Sequence, residues 1–93
     1  MAKKALSSKT DEKISDQLEK EIKKWTRRLE KELKNANIKN DDRSRDFLEN
    51  IKAYLKDSKY FYEKGDLARS FEAIIWAWSW WEILKKIKGL LEM

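Results

Sequence analysis

Residues 65–88 of the chain read GDLARSFEAIIWAWSWWEILKKIK, and this stretch decides the fold. Gly65 is the residue type that commonly ends a helix in the left-handed conformation, and Asp66 is a preferred N-cap for a following helix. The sequence therefore predicts that one helix ends near Lys64 and that the next begins at Leu67. A connection this short forces the two helices into an antiparallel hairpin.

The predicted third helix, residues 67–88, carries apolar side chains on two faces. One face contains Leu67, Phe71, Ile74, Ile75, Trp78 and Trp81, and the other contains Trp76, Trp80, Ile83, Leu84 and Ile87. A helix that is apolar on two faces is either the central element of a bundle or has a partner outside the chain. We interpret Trp78 and Trp81 as core residues.

Four residues of the second face form a candidate partner interface. They follow the i, i+4, i+7, i+11 spacing of a helix that lies in a groove, and they are Trp76, Trp80, Ile83 and Ile87. Left bare, they would expose on the order of 600 Å² of apolar surface, the upper end of what monomers carry. A second copy of the chain or another helical protein is one predicted occupant of this face. The first helix of the same chain is the alternative.

The residues before the hairpin predict two helices. The first runs from about Thr10 to Ala36 after a flexible basic leader, residues 1–9, and its apolar positions repeat about every 3.7 residues. An Asn- and Asp-rich turn follows, in which Asp41 or Asp42 caps the second helix. The apolar arc of that helix contains Phe47, Leu48, Ile51, Tyr54, Leu55, Phe61 and Tyr62. The predicted fold is all-α, an antiparallel three-helix bundle with the long helix 1 packed on the helix 2–helix 3 hairpin, and residues 10–93 form its single domain.

The residue types that the chain lacks exclude several kinds of site. There is no cysteine and no histidine, so thiolate or imidazole metal sites, Cys–His pairs and Ser–His–Asp triads are ruled out. Many carboxylates have a lysine or arginine at helical spacing, which is typical of a solvated helix. We therefore expect no enzymatic activity, no metal and no cofactor. The longest apolar run, residues 73–84, is shorter than the roughly 20 residues that span a bilayer, and a cytoplasmic location is expected.

The net charge of +5 comes from the first 40 residues. Basic side chains recur along one side of the first helix and could follow a phosphate backbone. These candidate nucleic-acid contacts are Lys20, Lys24, Arg27, Arg28, Lys31 and Lys34. A solvated outer face explains the same pattern, and no aromatic residue projects from that side to stack on bases.

The hairpin resembles the archaeal domain family of unknown function DUF357 over about residues 40–88. The residues that carry this resemblance are Tyr54-Leu55-Lys56-Asp57, Tyr60-Phe61, Gly65-Asp66, Arg69, Phe71-Glu72-Ala73 and Trp76-Ala77. The resemblance implies a small all-helical protein, and it carries no activity over to this chain.

Two functional hypotheses follow from the residues. The leading hypothesis is a non-enzymatic protein-interaction or self-association module that uses Trp76, Trp80, Ile83 and Ile87. The alternative is a nucleic-acid-associated accessory protein that uses the basic face of helix 1.

Overall fold

Three α-helices make up the chain in the computed structural model, which describes the backbone of residues 2–36 and 42–92 and the side chains of residues 12–36 and 42–87. They are α1 (Ala2–Asn35), α2 (Asp42–Glu63) and α3 (Leu67–Glu92). The predicted all-α three-helix bundle is confirmed. α1 begins eight residues earlier than Thr10, so the helix includes most of the predicted leader, residues 1–9. That these residues are separate from the folded domain stays a prediction.

The connection between α1 and α2 is described only in part. Ala36 lies just beyond the end of α1, and Asp42 is the first helical residue of α2, where it pairs with Arg45 at 3.6 Å. The other predicted turn residues, Asn37, Asn40 and Asp41, lie outside the described residues. Whether Asp41 caps α2 therefore stays a prediction.

The turn between α2 and α3 follows the capping chemistry predicted from Gly65 and Asp66. Gly65 has a φ of +79°, which an L side chain rarely adopts. The Asp66 N–H donates to Phe61 O at 2.8 Å and the Gly65 N–H donates to Tyr62 O at 3.0 Å, which is the hydrogen-bond pattern of a Schellman motif. Asp66 Oδ1 then accepts the Arg69 N–H at 3.1 Å as the N-cap of α3.

α2 and α3 pack closely because serine residues meet where they cross. Ser58 Oγ donates to Ser70 O at 2.8 Å, and Ser70 Oγ donates to Ser58 O at 2.7 Å. Both side chains are buried, and small residues let two helix backbones approach. Farther from the turn, Ile51 and Leu55 of α2 complete the core with residues of α3.

α1 packs mainly against α3 and also contacts α2. Leu29 of α1 is fully buried in the core with Ile74 and Leu84 of α3. Trp25 meets Trp78 edge-on with ring centroids 5.6 Å apart, and the Trp78 indole N–H donates to Trp25 O at 3.0 Å. Within the described parts of the chain, no helix is long and apolar enough to cross a membrane.

Candidate interaction surfaces

The four residues of the candidate partner interface, hereafter the apolar stripe, lie along one side of α3. Trp76 is 50% exposed and Ile83 is 45% exposed, whereas Trp80 and Ile87 are half-buried. Large apolar side chains with this exposure in the middle of a helix leave a contiguous patch open to solvent. The exposed apolar area of this patch is smaller than the sequence suggested for the four bare side chains, because Trp80 packs partly against the core.

Two aromatic residues of α2 support the apolar stripe from one side. Trp76 stacks on Tyr54 with ring centroids 6.3 Å apart and planes inclined by 21°. Trp80 meets Phe47 edge-on at 5.3 Å. The sequence assigned Phe47 and Tyr54 only to the apolar arc of helix 2. Their separation by seven residues, at the edge of that arc, is the signal that could have placed them at the rim of the stripe.

α1 packs on the opposite flank of α3 and leaves the apolar stripe open. Its contacts with α3 include those to Trp78, as above, and to Trp81, which is 3% exposed and whose indole N–H donates to Glu32 Oε1 at 2.9 Å. The interpretation of Trp81 as a core residue is confirmed, while Trp78 is half-buried. The alternative in which helix 1 covers Trp76 and Ile83 is therefore not the arrangement in the structure.

A second apolar surface lies on the far side of α3, beside α1. Ile75, which the sequence placed on the same apolar face as Ile74, is 47% exposed. It lines an open groove of about 400 Å³ together with Trp25, Phe71 and Trp78. Ile75 stays exposed although Trp25 of α1 lines the same groove. This groove gives the chain a comparison surface of similar exposure outside the apolar stripe.

The candidate nucleic-acid contacts, hereafter the basic ridge, all lie on the exposed side of α1. Lys24 lies near Glu21 at 4.0 Å and over the Trp25 ring, and Arg28 lies over the same ring at 5.1 Å. The other members are Lys20, Arg27, Lys31 and Lys34. None of these four forms an ion pair with any side chain that the structure describes.

The acidic residues of α1 explain why these cations have no partner among the described side chains. Glu19 accepts a hydrogen bond from the Tyr62 hydroxyl at 2.6 Å, and Glu30 pairs with Lys59 at 3.0 Å. Glu32 accepts from the Trp81 indole and from Lys85 at 3.2 Å. Three of the four glutamates that flank the ridge thus face the hairpin. The sequence placed them beside the ridge but gave no indication of these contacts.

Two of these hydrogen bonds shift the pKa of the acceptor. The Tyr62 hydroxyl, followed by Lys23, holds the pKa of Glu19 below its ordinary value. The Trp81 indole does the same to the pKa of Glu32, with a smaller contribution from Lys85. Both carboxylates are therefore ionised at neutral pH, and their charge is directed toward α2 and α3.

Comparisons with known proteins agree on one family. The family model "Protein of unknown function (DUF357)" matches residues 24–90, which include α2, the apolar stripe and the part of α1 from Lys24 onward. The crystal structure of protein AF1782 from Archaeoglobus fulgidus carries the same family model. It is 43% identical to this chain, superposes with a TM-score of 0.70, and the match covers 81% of this chain and 92% of that one. No curated protein matches the chain.

Proposed function

The chain belongs to DUF357, a protein family of unknown function, and we propose that it is a non-enzymatic cytoplasmic module that binds protein through the apolar stripe. One observation carries the proposal: Trp76 and Ile83 stay half-exposed although both neighbouring helices are already packed on α3. Exposed tryptophan is costly in water, and tryptophan is among the residues that contribute most to protein interfaces.

The surroundings of the apolar stripe support a role in binding. Tyr54 and Phe47 hold the two tryptophan rings from one side, so fewer rotamers are left to lose when a partner packs on them. The stripe also lies on a helix that is fixed at its turn by the Gly65–Asp66 cap and along its length by the core. A rigid apolar face of this kind suits a helix packed alongside it.

The expectation that the chain is not an enzyme is part of the same proposal. Without histidine and cysteine, general acid–base or nucleophilic chemistry would need carboxylates, lysine or tyrosine held in a pocket. The two carboxylates with lowered pKa, Glu19 and Glu32, are engaged with Tyr62 and Trp81 in contacts that dock α1. Their role is better explained by helix packing than by catalysis.

The test compares the wild-type chain with W76S/I83S, which removes the two most exposed members of the apolar stripe. I75S is the matched control, because Ile75 has similar exposure outside the stripe. Proteins that co-purify from the source organism are identified, produced and titrated against all three chains. We expect W76S/I83S to lose at least about tenfold in affinity for a partner, or for itself, with I75S unchanged. Equal binding by all three chains would contradict the proposal.

The basic ridge supports a second candidate function, the binding of nucleic acid. The specific observation is that Glu19, Glu30 and Glu32 face the hairpin, so they do not neutralise Lys20, Arg27, Lys31 and Lys34, which form no ion pair with a described side chain. Those cations lie on one side of α1 over about 20 Å, since they are seven, four and three residues apart and a helix rises about 1.5 Å per residue. A line of unpaired cations is what a phosphate backbone requires.

A charge-matched pair of variants tests this second candidate. One variant neutralises the ridge as K20Q/R27Q/K31Q/K34Q, and its control removes the same charge elsewhere. The control is R43Q/K52Q/K56Q/K86Q, all exposed positions on α2 and α3.

Fluorescence anisotropy with duplex RNA and duplex DNA at several salt concentrations is the readout. If the ridge binds a duplex, the negative slope of log affinity against log salt becomes shallower by about 3–4 for the ridge variant and by less than about 1 for the control. If both variants lose the same affinity and salt dependence, binding responds only to net charge and not to the ridge. If the wild-type chain does not bind at low salt, this candidate is ruled out.

A further inference from the structure

We infer that the apolar stripe is filled by a second copy of the chain, whose α3 runs antiparallel to the first about a two-fold axis. This inference rests on the proposed function and names its partner. A two-fold interface must be self-complementary, because the same surface meets itself in reverse. The apolar stripe satisfies this condition in its spacing, in the pairing of large with smaller side chains, and in the position of the charged residues beside it.

The spacing of the stripe is the same from either end. Trp76, Trp80, Ile83 and Ile87 are separated by four, three and four residues. An antiparallel copy, with its axis between residues 81 and 82, therefore places every member opposite another member. Trp76 lies opposite Ile87 of the second copy, and Trp80 lies opposite Ile83 of the second copy. Each tryptophan meets a smaller isoleucine, which is the alternation that lets two packed faces interdigitate.

The charged residue beside the stripe, Lys86, does not oppose this antiparallel pairing. Lys86 is exposed and borders the stripe on the side away from α2, as Ser79 does about two turns earlier. In the antiparallel register Lys86 lies near Ser79 of the second copy. The two copies of Lys86 are then about 13 Å apart along the helix axis, which exceeds the Debye length of about 8 Å at physiological salt. A parallel pairing would instead place equivalent lysines at the same height.

The exposed area sets the strength of the association. With Trp76 and Ile83 about half-exposed and Trp80 and Ile87 half-buried, the stripe presents on the order of 300 Å² of apolar surface per copy. Interfaces are about 57% apolar. Adding polar rim area in that proportion brings the total surface buried by both copies to about 1,000 Å². This is near the lower limit for a specific interface and is typical of a reversible dimer. We therefore expect a dissociation constant on the order of 10–100 µM.

Sedimentation equilibrium over about 5–500 µM protein tests the association. The wild-type chain and I75S should shift from monomer to dimer within this range. W76S/I83S should stay monomeric while its circular dichroism spectrum shows the same helix content as the wild type. Wild-type chain that is monomeric throughout the range would overturn the inference, and so would a W76S/I83S variant that dimerises like the wild type.

Cross-linking tests the antiparallel arrangement without altering the stripe. The chain has no native cysteine, so S79C and K86C each introduce a single thiol. With a short bis-maleimide, a mixture of S79C and K86C should give covalent dimers several times faster than either variant alone. Faster cross-linking of S79C or K86C with itself would overturn the antiparallel register.

The two proposals fail in different ways. If the wild-type chain is monomeric but W76S/I83S and I75S differ in binding an identified partner protein, the inferred dimer is wrong and the proposed function stands. If the stripe variants alter neither self-association nor the binding of any identified partner, both are wrong.

Discussion

The serine pair between α2 and α3 makes a quantitative prediction about the hairpin that positions the apolar stripe. Ser58 is 1% exposed and Ser70 is 0% exposed, and each hydroxyl donates to the backbone carbonyl of the other residue. The two hydroxyl oxygens lie 3.1 Å apart. Both carbonyls also lie inside helices, where backbone N–H groups bind them. The double variant S58A/S70A therefore removes two hydrogen bonds without leaving a buried carbonyl unpaired.

The expected magnitude follows from two opposing contributions. Each buried hydrogen bond contributes about 0.5–1.5 kcal/mol net to the free energy of unfolding. Alanine is a better helix former than serine by up to about 0.5 kcal/mol at each position. S58A/S70A should therefore lower the free energy of unfolding by about 1–2 kcal/mol, which corresponds to about 5–10 °C in Tm for a domain of this size. S70V, which adds volume where the backbones approach, should cost about 1–3 kcal/mol.

Urea unfolding followed by circular dichroism measures these changes, with S79A as the matched control. Ser79 also lies on α3, but its hydroxyl donates to Ile75 O of the same helix, at 2.9 Å. S79A should unfold within about 0.5 kcal/mol of the wild type. The reasoning is refuted if S58A/S70A is as stable as S79A, or if S70V is tolerated without loss.

Three further predictions concern the docking of α1 and the turn. Because Trp81 and Lys85 lower the pKa of Glu32 in the folded chain, its stabilising contribution is present above the ordinary value of 4.5 and is lost as the pH falls below it. E32Q should therefore be less stable than the wild type at pH 7, and urea unfolding should show that this difference shrinks toward pH 3. Replacing Gly65 by alanine should cost about 1 kcal/mol in thermal unfolding, because φ is +79° although space for a Cβ is free. W78F keeps an edge-on ring against Trp25 but loses the indole hydrogen bond, and it should lower the free energy of unfolding in urea by about 1–2 kcal/mol. The role of Glu32 is contradicted if the E32Q stability difference is the same at pH 7 and pH 3. An unchanged Tm for the glycine variant would contradict the need for a positive φ at Gly65. A W78F protein as stable as the wild type would contradict the contribution of the Trp78 hydrogen bond.

The turn and the core could be predicted from the sequence because neighbouring residues determine them. Gly65 and Asp66 supply a left-handed C-cap and an N-cap within two positions, so the hairpin follows from local chemistry alone. Trp81 lies in the core as predicted, because it falls on the same side of α3 as Ile74. These features need no knowledge of how α1 packs.

The side of α3 that α1 covers could not be predicted, because α3 is apolar on both faces. Hydrophobic periodicity then favours neither side, and the choice depends on polar contacts between residues far apart in sequence. The Trp81–Glu32 and Tyr62–Glu19 hydrogen bonds join residues 49 and 43 positions apart. The same contacts turn glutamates toward the hairpin, while Ile75, on the same apolar face as Ile74, stays exposed.

The isoleucine methyl groups offer the most direct test of the apolar stripe as an association surface. Methyl NMR spectra of the selectively labelled wild-type chain are compared between about 1 mM and about 10 µM protein. The structure predicts that dilution shifts the Ile83 and Ile87 signals and leaves those of Ile75 and Ile51 in place. Shifts at Ile75 with Ile83 and Ile87 unmoved, or no shift in any of the four, would contradict association through the apolar stripe.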